Sequence, residues 1–248
     1  SRGITIQTSS NREFVGQALI GTDGLRSYVR QRLIGDGEPV YSGYVAWRGM
    51  LDTERVPKIL QGNFTGLWLH KSAHIVHYPV HGGKRTNIVV ILRSQKKHTG
   101  WAVNGDRQDL LPKLGHLPDA FRELIEGVDS WLMWSLFDRR PVSQIVNGNI
   151  ALAGDAAHPM LPFLAQGGAM AIEDAAAIAA AISRHDGNIP LAFRSYEAER
   201  RKRVARVQRM ARRNGIIYHA AGPVAFVRNL IMRFTAPTKL LSQFDWLY

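Results

Sequence analysis

The sequence contains no cysteine, which excludes disulfides and thiolate metal sites while saying little about compartment. No apolar run approaches the ~20 residues of a membrane-spanning helix. The opening stretch, SRGITIQTSSNREF, carries no apolar core of a signal peptide. The fingerprint Gly-x-Gly-x-x-Gly is also absent: Gly35-Asp36-Gly37 is followed by Val40, and other close glycines sit in loops. A dinucleotide-binding βαβ unit needs that fingerprint within at least ~30 residues, so no complete unit is legible here.

Acidic residues are scarce, 20 against 32 Lys and Arg, for a formal charge of +12. Such a balance invites a nucleic-acid reading. Much of the excess, however, lies in one stretch, Arg194–Arg213, where Tyr196, Val204, Val207 and Ala211 recur at helical spacing. That pattern describes an amphipathic helix with one apolar stripe and a solvated basic face. No helix-turn-helix, zinc-finger or RNA-binding signature accompanies it, so nucleic acid is not the expected partner. With 45% hydrophobic and 21% charged residues, the composition is that of a soluble globular protein, and 248 residues allow one large core or two small ones.

The most informative stretch is Ile150–Asp174, IALAGDAAHPMLPFLAQGGAMAIED. Ile150–Ala153 is short and apolar, as a buried strand is. Gly154 and Asp155 follow where the strand must end, then a turn with Pro159 and Pro162, then Gln166-Gly167-Gly168 and an Ala-rich helix. A helix start offers unpaired N–H groups and a positive dipole end to an electron-rich ligand. A carboxylate at a strand's carboxyl end accepts hydrogen bonds from sugar hydroxyls.

The unbroken run Gly154-Asp155-Ala156-Ala157-His158-Pro159, with its AQG and EDA continuation, resembles a motif of the FAD-dependent aromatic hydroxylases, class A flavoprotein monooxygenases, in their salicylate hydroxylase branch. Upstream, Gly21-Thr22-Asp23-Gly24 leads into Leu25–Arg30, which resembles the same family's Asp-Gly motif. The resemblance implies that Asp155 holds the FAD ribose, and that Asp23, Gly24 and Arg30 support FAD and nicotinamide-nucleotide interactions. It implies cofactor contacts at Gly154, Pro159, Leu164, Ala165, Gly167 and Gly168. The backbone of Pro162 and of Leu164–Gly167 would face the flavin, with Gln166 beside it to orient substrate or activated oxygen. The Arg-rich segment after the helix is similar to the family's as well. In that family a GxGxxG unit precedes the Asp-Gly motif. The chain therefore reads as the C-terminal part of a longer enzyme, nearly complete at its own C-terminus, and alone it is expected neither to retain FAD well nor to turn over.

The remaining segments fill in the architecture. Gly3–Ile6 reads as a strand and Glu13–Ile20 as a second. Tyr41–Gly49, GYVAWRG at its heart, is aromatic and strand-like; His74–Val80, a loop at 81–85 and Asn87–Leu92 make a β-hairpin. Alternation puts His74, Val76 and Tyr78 on one face and Ile75, His77 and Pro79 on the other. Asp119–Glu126 reads as a helix, Trp131–Phe137 as a strand, and Trp101, Trp131 and Trp134 as core or pocket wall. Leu191–Asn214 is the long basic helix, and Gly222-Pro223 breaks the segment after it. The expected fold is α/β: a partial FAD-binding Rossmann-like domain of the glutathione reductase type (1–39 and 141–185), an antiparallel sheet domain for substrate (40–140) and C-terminal helices (186–248).

Hydroxylating an aromatic ring with O2 needs a two-electron carrier that no side chain supplies. The resemblance names it as FAD, with NADH or NADPH as co-substrate and a phenolic acid, salicylate-like or hydroxybenzoate-like, as substrate. An imidazole suits the task of drawing the phenol's proton. By position in the strand His74 and Tyr78 match the family's phenol-contacting pair; Arg48 has two expected partners, an anionic carboxylate or the cofactor. No metal is expected; the expected setting is the cytoplasm, and a homodimer is compatible with the reading. Two other readings stay open at this point: a flavin hydroxylase or epoxidase of a larger substrate such as a quinone precursor or polyketide, and a non-enzymatic basic nucleic-acid-binding protein.

Overall fold

The computed structural model describes residues 3–98, 100 and 102–247; Trp101, expected above as core or pocket wall, lies outside the described residues. The chain divides into two units, one of residues 1–42 and 137–214, the other of residues 43–136 and 215–248. The segment 186–248, expected as one C-terminal body, is thus shared between them. Among the described residues no helix is long and apolar enough to cross a membrane.

In the first unit the strand Ile150–Leu152 lies between Val146–Asn147, antiparallel across the Gly148 turn, and Leu19–Gly21, parallel. The single strand expected over Glu13–Ile20 is in fact two. Glu13–Gly16 pairs with Ile4–Gln7 in a separate hairpin, whereas Leu19–Gly21 joins the parallel pair. The helix Gly167–Arg184 follows, and its alanines let it approach the sheet closely. Leu152, Ala177, Ala181, Phe193 and Tyr196 form the centre of this core, where each large apolar side chain contributes roughly 1.5–3 kcal/mol on burial. The long helix runs Ile189–Tyr218.

The second unit is built on a six-stranded sheet in the order 66–69, 73–80, 85–93, 40–52, 131–138, 103–105. The expected hairpin is present as Ala73–Val80 and Arg85–Arg93, antiparallel with His74 opposite Ile91. The helix Asp119–Glu126 forms as expected and packs Phe121, Leu124 and Ile125 inward. Gly222-Pro223 opens the helix Gly222–Phe234 rather than breaking a segment, because proline is pre-set for the first helical turn where its missing N–H costs nothing.

Gly49 in the GYVAWRG strand shows how tightly the inward face is packed. A Cβ there would stand 2.4 Å from Val128 Cγ1 and 3.2 Å from the Trp131 ring. Gly49→Ala is therefore expected to cost about 1–3 kcal/mol by overpacking, read from the urea midpoint. An unchanged midpoint would show that Val128 yields freely.

Candidate functional site

In the first unit, strand, turn and helix enclose one side of a cleft of about 740 Å³, lined among others by Thr22, Gly24, Gly154, Asp155, Gly167 and Gly168. Gly154 sits at φ +57° with Ala171 close to where a Cβ would be, so the turn needs glycine for conformation and for space. Asp155 is solvent-exposed and its carboxylate has no hydrogen-bond partner among the described residues. Desolvation at the cleft wall raises its pKa, partly offset by His158. The N–H groups of Gly167 and Gly168, at the helix start, likewise meet no protein acceptor among the described residues. The N-terminal cap position, Gln166, contributes no side-chain cap bond.

The back of the same loop is fully engaged. Asp174, completely buried, accepts from the Gly154 N–H at 2.9 Å, from His158 Nε2 at 2.5 Å and from Arg200 Nε at 2.8 Å. Burial works to raise the Asp174 pKa, but His158, Arg200 and the Gly154 N–H outweigh it, and the net shift is downward. Tyr196 donates to the Leu152 carbonyl at 2.9 Å, Gln208 to that of Pro159 at 2.7 Å and Asn214 to that of Phe163 at 3.1 Å. The buried Arg30 donates through one nitrogen to the Ala156 and Ala157 carbonyls, at 3.1 and 2.8 Å. Its remaining nitrogens grip Asp36, at 2.6 to 3.1 Å. Asp36 also accepts from Arg139 at 3.0 Å, and these partners, the Arg30 hydrogen bond first, hold its pKa down.

The Asp-Gly motif is placed differently from the Gly-Asp one. Gly24 lines the cleft, but the Asp23 carboxylate accepts from the Ser27 hydroxyl at 2.5 Å and from the Tyr28 and Val29 N–H groups at 2.7 and 3.2 Å. It caps the helix Tyr28–Leu33 alongside Ser27, whose hydroxyl accepts from Arg30 N–H. Burial tends to raise its pKa, and these bonds prevail to lower it. In the second turn, Pro162 begins a short 3-10 turn whose N–H from Ala165 returns to the Pro162 carbonyl at 3.3 Å. Ala165 is held at φ +53°, a left-handed conformation that costs a non-glycine residue ~1–2 kcal/mol.

The second unit brings together His74, Val76, Tyr78 and Arg48. Val76 faces Val89 across the hairpin, and Val89 in turn faces Arg48, so the four share one sheet face. Arg48 Nε donates to Asn87 Oδ1 at 2.6 Å. Tyr78 is half-buried, whereas His74 is buried and its Nδ1 lies 2.8 Å from Nε2 of His219. Desolvation first, then the neighbouring imidazole, lowers the His74 pKa to about 3; burial and the charges of Arg93 and Arg228 lower that of His219 to about 4. Both rings are neutral at neutral pH. His77 lies on the opposite face, buried beside Trp68 and Phe64.

Sequence reasoning missed Asp36, Asp174, Arg200 and His219. Arg200 belongs to the basic helix expected to be solvated, yet it is buried against Asp174 and Glu173. The one available signal was Asp174 itself, which with Glu173 interrupts an otherwise apolar, Ala-rich stretch of helix. A buried charge in such a helix calls for a partner.

The model of the family described as FAD binding domain matches residues 4–211. Over 245 residues the chain is 36% identical to the 3-hydroxybenzoate 6-hydroxylase of Klebsiella oxytoca, covering 99% of this chain and 62% of that protein. It is 34% identical to 3-hydroxybenzoate 6-hydroxylase 2 of Aquipseudomonas alcaligenes, covering 99% and 76%. Among solved structures, Klebsiella pneumoniae HpxO complexed with FAD and uric acid superimposes with a TM-score of 0.88 at 25% identity, over 98% of this chain and 62% of that one. The chain thus spans about three fifths of the length of the Klebsiella oxytoca hydroxylase.

Proposed function

We infer the function from one premise: this chain belongs to the FAD binding domain family. The protein it forms is an FAD-dependent monooxygenase that hydroxylates a phenolic aromatic acid, of the hydroxybenzoate or salicylate kind, with NADH or NADPH and O2. One observation carries the reading. The loop from Gly154 to Gly168 is tied down along its back by four side chains, Arg30, Asp174, Gln208 and Asn214, while the Asp155 carboxylate and the Gly167 and Gly168 N–H groups stay open to the cleft. An acid with two helix-start amides is the donor and acceptor set that a ribose and an electron-rich ring system require.

FAD, when bound, supplies the electron transfer and O2 activation that no side chain provides. Asp155 would accept from its sugar hydroxyls, and Gly154, Gly167 and Gly168 would admit it closely for want of Cβ atoms. Pro159, Pro162, Leu164 and Ala165 would shape the wall, with Gln166 orienting the substrate hydroxyl. Asp23 and Arg30 act behind this wall, Asp23 by capping a helix and Arg30 by holding the Ala156 and Ala157 carbonyls. On the sheet, Arg48 would pair with the substrate carboxylate, Tyr78 would contact the ring, and neutral His74 would accept the phenol proton. On this reading residues 1–39 and 141–185 serve the cofactor and 40–140 the substrate. The enzyme would work in the cytoplasm, and a homodimer suits it.

The test is substrate-stimulated NADH or NADPH oxidation by the complete flavoprotein. Salicylate or a hydroxybenzoate is expected to accelerate it and to yield a dihydroxylated acid. A flavin-loaded enzyme indifferent to every phenolic acid offered would sink the proposal.

A further inference from the structure

Asn87 is completely buried on the six-stranded sheet, yet only half of its amide is engaged. Its Oδ1 accepts from Arg48 Nε at 2.6 Å, and its Nδ2 meets no acceptor among the described residues. Chemistry fixes the orientation of this amide. A guanidinium only donates, so the oxygen must face Arg48 and the NH2 must face away. Asn87 stands directly opposite Tyr78 on one neighbouring strand and Met50 on the other. Arg48, two residues before Met50, is its diagonal neighbour on the same face, within reach of a long side chain. We propose that Asn87 is a positioning residue for substrate recognition: it holds Arg48 by Nε and leaves the two Nη groups to grip a carboxylate end-on. This rests on the reading of the substrate as a phenolic acid and of Arg48 as its partner.

Two features set an aiming role above a structural one. A guanidinium offers a carboxylate two parallel donors either from its side, Nε with one Nη, or from its end, both Nη. Asn87 takes the side. Arg48 is solvent-exposed and makes no other hydrogen bond or ion pair among the described residues, so the end stays open. An acid held there would lie on the face that also carries Tyr78 and His74. The second feature is energetic. A buried donor left unsatisfied costs the fold free energy, and an apolar side chain of the same branching would not carry that cost. Arg48 loses little by the exchange, because water reaches an exposed guanidinium. What Asn87 adds is therefore the direction in which Arg48 points.

The test has two arms. In this chain alone, 15N NMR of arginine side chains, with the Arg48 signal assigned by its loss in Arg48→Lys, reads the contact itself. The Arg48 Nε–H should exchange slowly with water in the wild type and fast in Asn87→Leu, with the urea midpoint unchanged or raised. In the complete flavoprotein, Asn87→Leu should raise the dissociation constant of a hydroxybenzoate roughly 10-fold, the weight of one aligned hydrogen bond to a charged group. That of the matching hydroxybenzamide should stay where it was. Arg48→Lys, which keeps the charge and loses the fork, should have the same effect on the acid, and adding Asn87→Leu to it should change nothing further. Because Arg48 is exposed, Arg48→Lys keeps the test open should Leu not fit at position 87. A freely exchanging wild-type Nε–H, equal weakening of acid and amide, an acid preference unmoved by Arg48→Lys, or additive effects in the double variant overturns the inference. Acid binding with this coupling in an enzyme that hydroxylates no phenolic acid would keep Asn87 in its role and remove the proposed reaction. Hydroxylation with an acid preference indifferent to Asn87 would do the reverse.

Discussion

Asp174→Ala is expected to lower the stability of the protein by roughly 3–5 kcal/mol, the cost of leaving buried charge without its partner. The carboxylate is completely buried and accepts from three donors, the Gly154 N–H, His158 and Arg200. Its removal strands Arg200, itself only 4% exposed, with Glu173 as its remaining carboxylate. It also releases the amide that fixes the turn before Asp155. A urea titration measures the loss as a shift in midpoint at constant slope. A loss under about 1 kcal/mol would show that the network is incidental. Asp174→Leu combined with Arg200→Leu should recover much of the deficit, because replacing a buried pair by apolar groups avoids the desolvation that breaking it exposes.

The pH dependence follows with its sign. Hydrogen bonds and opposite charge depress the Asp174 pKa in the folded state. Its contribution is therefore present above the unfolded carboxylate pKa, near 3.9, and is lost as pH falls through the lower folded value. Asp36, depressed by Arg30 and Arg139, fails in the same acid window. The first unit is expected to lose two of its internal ties together when acidified.

The parts of this structure legible in the sequence are those governed by local pattern. The run from Ile150 into the helix at Gly167 is placed almost to the residue, since an apolar strand, a glycine turn and an Ala-rich helix each announce themselves. The same holds for the hairpin around His81–Gly83 and for Asp119–Glu126. The break at Gly16 to Leu19 was not legible, because Phe14–Ile20 is apolar but for Gln17 and pairing with a distant strand at Ile150 decides where it divides. Ties over long separations were hidden for the same reason. Arg30 reaches Ala157 across 127 residues and His74 reaches His219 across 145, and no periodicity encodes such meetings. Charge in the sequence also misled: Arg200, Arg203 and Arg212 looked like a solvated face, yet each is bound to a carboxylate, Glu173, Asp174 or Asp138.

Asp155→Ala should behave as the inverse of Asp174→Ala, although the two acids lie on one strand–turn–helix unit. The Asp155 carboxylate takes no protein hydrogen bond among the described residues and faces the cleft, so its loss should leave the apoprotein's melting temperature unchanged or higher. Desolvation raises its folded pKa, meaning the ionised form is a cost to the fold. That cost is absent at low pH, sets in as pH rises past the unfolded carboxylate pKa and is complete above the raised folded one, and Asp155→Asn should flatten this part of the stability profile. Binding should move the other way. A hydrogen bond to a charged acceptor contributes about 1.5–3 kcal/mol, so the dissociation constant for FAD in the complete protein should rise roughly 10- to 150-fold, with Asp155→Asn the milder variant. Flavin fluorescence titration reads the affinity and a thermal melt of the same apoprotein reads the fold. Unchanged FAD affinity in a fully folded Asp155→Ala protein would mean that this carboxylate does not hold the cofactor. A cleft opening onto an acid that the fold does not need would then be left without a ligand.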